Sequence, residues 1–149
     1  SYDVVAGYAG ATRAAPGRRR ALTGQYSPSH GDLESMTIIP SVAAAETIEL
    51  EPAGVRAGAD SGNPETSTRE ISSGNGIDVG IWECTPGGWP VENRPNTEVC
   101  SIVSGSGVIT DADGTQQQLS AGSVLTLPKG WSGRWDITST LRKVYVIVD

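Results

Sequence analysis

The chain is short of the residue types on which many functional sites depend. Its 149 residues include no phenylalanine, two cysteines and a single histidine, His30. Cys84 and Cys100 are too few for a disulfide framework, and one histidine cannot form a typical histidine-rich metal cluster. No stretch approaches the ~20 consecutive apolar residues that a membrane helix needs. These absences predict a cytoplasmic protein without a membrane partner.

Positive charge is also scarce, and it is unevenly distributed. The net charge is −6, yet residues 1–31 contain four arginines and only one acidic residue. An acidic body argues against binding to a phosphate backbone, which requires concentrated lysine and arginine. The run Arg18-Arg19-Arg20 is either a patch for nucleic acid or lipid, or a solvated arm. We favour the solvated arm and predict no nucleic-acid partner.

Glycine and proline, in contrast, are abundant. Nineteen glycines and nine prolines, with no long apolar run at helical spacing, indicate short strands and tight turns. Within residues 1–36, repeated glycine and proline interrupt any periodicity, and small residues dominate. We therefore predict an irregular N-terminal extension over 1–36 and one all-β domain over 37–149.

Alternating apolar and polar residues predict the strands of this domain. A first strand over 47–51 should end at Pro52, and a polar connection should follow over 53–68. Asp113-Gly114 should form a hairpin turn, because glycine accepts the positive φ that such a turn requires. The other predicted strands are 77–84, 98–104, 107–110, 116–119, 123–127, 133–137 and 141–148. One antiparallel barrel or sandwich accounts for this pattern.

Several spaced motifs carry a family resemblance. They are Trp82-Glu83-Cys84-Thr85-Pro86-Gly87, Glu98 with Gly105, Gly122 with Pro128-Lys129-Gly130, and the segment 142–147. With these motifs, residues 46–148 resemble the small single-domain cupins of the ethanolamine-utilisation and ureidoglycine-aminohydrolase type, which belong to the RmlC-like cupins. The resemblance implies an all-β cupin fold, a double-stranded β-helix or jelly-roll barrel, and a homodimer. It implies no single activity, because this type includes an aminohydrolase, a protein with reported kinase activity and many members of unknown function.

The resemblance also implies where a metal site would lie. In cupins generally, a His-x-His pair precedes a glutamate and a further histidine follows a Pro-x-Gly turn, and these residues hold a divalent metal. Here the glutamate is Glu98, and the histidine positions hold other residues. Those are Val91 and Asn93, or at the alternative spacing Glu92 and Arg94, and finally Gly133.

Only the carboxylate of the four usual ligands therefore remains. The alternative is an unusual metal site in which Glu92, Asn93, Cys84 and Cys100 join Glu98. No clustered ligand spacing supports it. We predict no metal and no cofactor.

Strand periodicity indicates which side chains share the interior with Glu98. If Glu98 points into the barrel, Cys100 and Ile102 share its face while the residues between them point away. On the last strand, Lys143 and Tyr145 should likewise point inward. Trp89, which follows Gly87-Gly88, is expected at an opening.

These considerations define a candidate site. Glu98 and Lys143 are the candidate catalytic residues, since a buried carboxyl suits proton transfer and an amine can steady negative charge. A buried Glu–Lys or Glu–Arg pair that only stabilises the barrel is the alternative for the same residues, and tryptophans in small barrels are often core residues. The candidate ligand-binding residues are Trp82, Cys100, Arg134, Trp135 and Tyr145.

Two functions remain open from the sequence. The first is a small-molecule-binding cupin barrel without the usual histidine metal site, with its ligand lying against Glu98. The second is an enzyme that acts on a small polar metabolite, ureide-like or derived from an amino acid, with Glu98 as general acid or base.

Overall fold

The computed structural model describes residues 38–149. The predicted extension over 1–36 lies outside the described residues, and its boundary with the domain stays a prediction. Within residues 38–149 the chain forms nine strands and no helix, so the all-β prediction is confirmed. None of the described residues therefore belongs to a helix that is long and apolar enough to cross a membrane.

The strands follow one another closely along the chain. They are β1 (Glu51–Val55), β2 (Ser61–Gly62), β3 (Glu65–Gly74), β4 (Ile77–Cys84), β5 (Gly87–Val91), β6 (Thr97–Asp111), β7 (Gln116–Leu119), β8 (Val124–Leu127) and β9 (Gly133–Val148). Two of them, β4 and β7, have the bounds that the sequence predicts. Strands β6 and β9 each join two predicted strands into one long strand.

All nine strands belong to one antiparallel sheet that is organised around β9. One edge of β9 pairs with β4 and β5, and its other edge pairs with β6 along nearly its whole length. Strands β7 and β8 pair with the far edge of β6. The two longest strands therefore lie side by side at the centre of the sheet, and they supply most of the interior-facing side chains.

Strand β9 shows the alternation that decides which side chains enter the core. Trp135, Ile137, Leu141, Lys143 and Tyr145 are buried, whereas the residues between them are partly or fully exposed. Successive side chains of a strand point to opposite faces, so the odd-numbered positions of β9 from Trp135 onward, apart from the exposed Ser139, face the interior. The predicted inward direction of Lys143 and Tyr145 is confirmed.

Strand β6 changes this alternation at Gly105. Its buried positions are even-numbered before the glycine (98, 100 and 102) and odd-numbered after it (107 and 109). The register with β9 shifts at the same place, between Ile102 and Gly107. Gly105 has φ +83°, a left-handed conformation that only glycine adopts without strain. A bulge of this kind keeps both halves of β6 facing one core.

The N-terminal part of the domain differs from its prediction. The predicted strand over 47–51 does not form, because the chain turns there and Ile48 N donates to Ala44 O at 3.1 Å. Strand β1 starts at Glu51 and includes Pro52, which an edge strand tolerates because one side of its backbone needs no partner. The predicted polar connection over 53–68 was also wrong, since β2 and the start of β3 lie in it.

Arg142 holds this turn against the sheet. Its Nη1 donates to the carbonyl oxygens of Ala45 and Ile48 at 3.0 and 2.9 Å, and its Nε donates to Glu83 Oε2 at 2.8 Å. The outward-facing arginine of β9 thus ties the turn to β4. The predicted hairpin turn at Asp113-Gly114 is confirmed, with Gly114 at φ +89°.

Candidate functional site

Glu98 and Lys143 approach each other because β6 and β9 are neighbours. Lys143 lies opposite Ile102 of β6 and opposite Trp82 of β4. Glu98 lies four residues before Ile102 on the same inward face of β6. The long side chain of Lys143 therefore runs along the interior and reaches the carboxylate of Glu98.

The Glu98 carboxylate and the Lys143 ammonium form a buried ion pair. Lys143 Nζ donates to Oε1 at 3.1 Å and to Oε2 at 3.2 Å. Glu98 is 1% exposed and Lys143 is 3% exposed. Water is largely excluded from both groups, so this charge interaction is screened much less than a pair at the surface.

Arg94 brings a second positive charge to the same carboxylate. Its Nη1 lies 3.7 Å from Glu98 Oε2, and its side chain is 5% exposed. Asn96 orients the guanidinium, because Arg94 Nη2 donates to Asn96 Oδ1 at 3.1 Å. The backbone is fixed as well: Arg94 N donates to Trp131 O at 2.9 Å, and Gly130 N donates to Arg94 O at 2.7 Å. Arg94 thus joins the loops that the two cupin motifs supply.

Two indole rings enclose the ammonium on its other sides. Lys143 Nζ lies 4.6 Å from the centroid of the Trp82 ring and 4.8 Å from that of Trp135. The faces of indole rings attract cations, most strongly where water is excluded. The ammonium is therefore held by one carboxylate and two aromatic faces. We call Glu98, Arg94, Lys143, Trp82 and Trp135 the charged cluster.

Trp89 extends the aromatic part of the site. Its ring stacks on Trp135 with a centroid separation of 6.3 Å and an interplanar angle of 12°, and Arg56 Cζ lies 5.0 Å from its centroid on a ring face. The prediction that Trp89 lies at an opening was wrong, because it is 2% exposed. Its strand, β5, pairs with β9 and turns the ring into the core. Trp89 Nε1 has no hydrogen-bond acceptor among residues 38–149.

Cys100 and Tyr145 lie opposite each other on β6 and β9, beside the charged cluster. Burial raises the pKa of the Cys100 thiol to about 11 and that of the Cys84 thiol to about 12. Burial, followed by the negative charges of Glu70, Glu98 and Asp78, raises the pKa of Tyr145 to about 12. All three groups are consequently neutral at physiological pH.

The raised pKa values predict thiols that react slowly in the folded protein. At pH 8 we expect Cys100 to react with a disulfide reagent about 100-fold more slowly than in the unfolded chain, because its thiolate is scarce. The folded state also retains these protons above the unfolded thiol pKa of about 9. Its stability should therefore decline as the pH rises from about 9 towards 11. Thiol titration of native and denatured protein at pH 8 tests the predicted difference in reaction rate, and equal rates in the two states would contradict the prediction.

Arg134 is the predicted site residue that the structure does not bring to the charged cluster. It is 31% exposed, and its Nη2 lies 2.7 Å from Asp60 Oδ1 while its Nε lies 2.9 Å from Asp136 Oδ2. These hydrogen bonds, first to Asp60 and then to Asp136, raise the pKa of Arg134. Arg134 faces away from the interior because it precedes the inward-facing Trp135. The sequence predicts Arg134 as a ligand-binding residue, but its contacts with Asp60 and Asp136 do not support that prediction.

The residues around Glu98 do not fit a cupin metal site. Both oxygens of its carboxylate accept hydrogen bonds from Lys143, whose ammonium would repel a metal ion. A Cβ at Gly133, the last motif position, would lie 2.7 Å from Trp131 Cη2, so Trp131 fills the space of a histidine there. In the part of the chain that the structure describes, no three His, Cys, Asp or Glu residues are grouped to hold a metal.

The unusual metal site built on Glu92 and Asn93 is not assembled either. Both residues are exposed, whereas Cys84, Cys100 and Glu98 are buried. Sequence reasoning also missed Arg94 as a site residue, since it considered this position only as the place of an absent histidine. No periodicity could have placed it there, because Arg94 lies in the loop before β6.

Comparison with known proteins agrees with the fold. Residues 72–145 match the family model described as the EutQ-like cupin domain. A comparison with the curated proteins finds no match. Among solved structures, the Clostridium difficile EutQ protein is similar with a TM-score of 0.50 and 19% identity, over 57% of this chain and 68% of that one.

Two further structures extend the comparison. A predicted oxalate decarboxylase from Thermotoga maritima has a TM-score of 0.55 and 22% identity, over 72% of this chain and 98% of that one. A protein of unknown function from Pseudomonas syringae has a TM-score of 0.59 and 20% identity over 68% of this chain, which spans only 45% of that protein. The matched family model, with the antiparallel sheet around β6 and β9, identifies the chain as a small cupin of the EutQ-like type.

Proposed function

We propose that this cupin binds a small molecule at the charged cluster, without a metal on Glu98. The ligand contacts the buried charges and the indole rings of Trp82 and Trp135, and Cys100 and Tyr145 border the same space. One observation carries the proposal. One acidic and two basic side chains, each at most 5% exposed, converge in the core of a small barrel. Buried charges are costly, and proteins concentrate them where they serve a function.

The alternative is an enzyme that acts on a small polar metabolite, ureide-like or derived from an amino acid. Glu98 would be its general acid or base, and Lys143 would steady negative charge. In the described conformation both oxygens of Glu98 accept hydrogen bonds from Lys143. Proton transfer through Glu98 would therefore require the ammonium to move aside first. Binding requires no proton transfer through Glu98, and we favour it for that reason.

A thermal-shift series with small carboxylates, ureides and sugars tests the proposed function. We expect at least one class to raise the Tm, because a ligand at one hundred times its Kd stabilises the folded state by about 2.7 kcal/mol. For a chain of this size that corresponds to roughly 5–10 °C. Glu98→Gln should change the ligand-induced shift. The exposed Glu92→Gln, which makes the same chemical change, should not.

Two outcomes would contradict the proposal. Identical ligand-induced shifts in the wild type and Glu98→Gln would mean that the ligand binds elsewhere. About one divalent metal per chain by elemental analysis, lost in Glu98→Gln, would overturn the metal-free site. The homodimer, the cytoplasmic location and the lack of a nucleic-acid partner stay predictions from the sequence.

A further inference from the structure

The charged cluster contains more positive than negative charge. Lys143 Nζ lies 3.1 Å from Glu98 Oε1, and Arg94 Nη1 lies 3.7 Å from Glu98 Oε2. One carboxylate thus faces two cations. Arg94 has a further partner in Asn96, but an amide oxygen carries no net charge. An excess of one positive charge therefore remains in the core.

The buried neighbours do not supply the missing negative charge, and Glu70 and Asp78, whose charges act on Tyr145, are exposed and half-buried, respectively. Trp82 and Trp135 are neutral, and burial keeps the thiol of Cys100 and the phenol of Tyr145 protonated by raising the pKa of each. An uncompensated charge in the protein interior costs several kcal/mol. A bound anion would offset that cost, whereas a bound cation would add to it.

A second, independent observation indicates a missing hydrogen-bond acceptor. Trp89 Nε1 is buried, and no acceptor among residues 38–149 is within hydrogen-bond distance. The ring stacks on Trp135, whose own face contacts the Lys143 ammonium. A buried donor without a partner costs about 1–3 kcal/mol. An anion carries acceptor oxygens as well as negative charge, so both observations favour an anionic ligand over a cationic one.

We propose that the ligand of this site is a small monovalent carboxylate, bound by Lys143 and Arg94 in competition with Glu98. This inference rests on the proposed function and specifies the ligand's chemistry. A guanidinium presents N–H groups in a planar fork that matches the two oxygens of a carboxylate. The ligand is small, because indole faces and the Glu98 carboxylate already surround the ammonium.

Glu98 should weaken the binding of an anionic ligand rather than strengthen it. Its own carboxylate already accepts the hydrogen bonds of Lys143, so it competes with an incoming anion and repels it. Removing this charge should therefore strengthen binding, while removing the ammonium should weaken it. A site in which Glu98 binds the ligand directly would respond to Glu98→Gln in the opposite direction.

Isothermal titration calorimetry with three probes of equal size tests the charge preference. Propionate, propylamine and 1-propanol share a three-carbon skeleton and differ in charge. We expect propionate to bind the purified full chain at least about tenfold more tightly than 1-propanol, with propylamine the poorest ligand. Glu98→Gln should raise propionate affinity about tenfold or more, and Lys143→Met should lower it by a similar factor.

The matched control is Glu92→Gln, which removes an exposed carboxylate near Arg94 in the chain and should leave propionate affinity unchanged. If Lys143→Met does not fold, Arg94→Gln replaces it with the same expected loss. Binding of propylamine or 1-propanol with at least the affinity of propionate would overturn the inference and leave the proposed function standing. Weaker propionate binding by Glu98→Gln than by the wild type would also overturn the inference. If neither these probes nor the thermal-shift compounds bind, the proposed function itself fails.

Discussion

Glu98→Ala is expected to lower the free energy of unfolding by about 3–5 kcal/mol. The substitution leaves the Lys143 ammonium and the Arg94 guanidinium in the core without the carboxylate that both of them face. Lys143 still contacts two indole rings, but cation–π attraction supplies only about 2 kcal/mol at a desolvated site. Truncation of the side chain also leaves a cavity, which adds to the loss. Urea denaturation followed by circular dichroism measures the change.

Two further variants separate the charge effect from general damage to the fold. Glu92→Ala makes the same truncation at an exposed position and should cost less than about 0.5 kcal/mol. The double variant Glu98→Leu/Lys143→Met removes both charges and replaces them with apolar side chains. It should recover part of the lost stability, since buried ion pairs are often no better than well-packed apolar residues, whereas the Arg94 guanidinium still lacks its carboxylate. A loss below about 1 kcal/mol in Glu98→Ala would show that the pair contributes little.

Gly105→Ala should destabilise the protein by about 3 kcal/mol or more, for two separate reasons. Gly105 has φ +83°, which strains any residue that carries a Cβ. An added Cβ would also lie 2.6 Å from Leu141 Cα and still closer to Thr140 O, both in the backbone of β9. The two central strands would have to separate at the bulge to admit a methyl group.

Gly114→Ala is the matched control for this variant. Gly114 has φ +89°, nearly the same as Gly105, but a Cβ there would have no atom within 4 Å. It should therefore cost only the backbone strain, about 1 kcal/mol. The difference between the two variants in chemical denaturation isolates the close approach of β6 to β9. Equal losses of unfolding free energy in the two variants would mean that the backbone of β9 moves away from the added methyl group at little cost.

Much of the fold can be predicted from the sequence where strands alternate and where glycine marks turns. Strand β4 has the predicted bounds because Ile77–Cys84 lies between two clear turn signals. Strand β3 was missed because most of its side chains are polar, so it lacks an apolar alternation. The first strand was placed too early because Pro52 resembles a strand terminus, whereas an edge strand can contain it.

The candidate site was only partly predictable. Strand periodicity places Glu98, Cys100, Lys143 and Tyr145 in the interior, and their burial agrees. Periodicity says nothing about how far a long side chain reaches, so the contact between Lys143 and Glu98 could be offered only as an alternative. Arg94 lies in a loop, where no period applies, and its direction depends on contacts with Asn96 and Trp131.

The position of the Lys143 ammonium between Trp82 and Trp135 has a practical consequence. An indole's emission responds to the electric field along its ring, and a fixed ammonium 4.6 and 4.8 Å from the two ring centroids contributes strongly to that field. Any molecule that draws Lys143 away will alter the intrinsic fluorescence of the protein. Tryptophan fluorescence should therefore show whether a ligand is bound at the charged cluster, without an attached label.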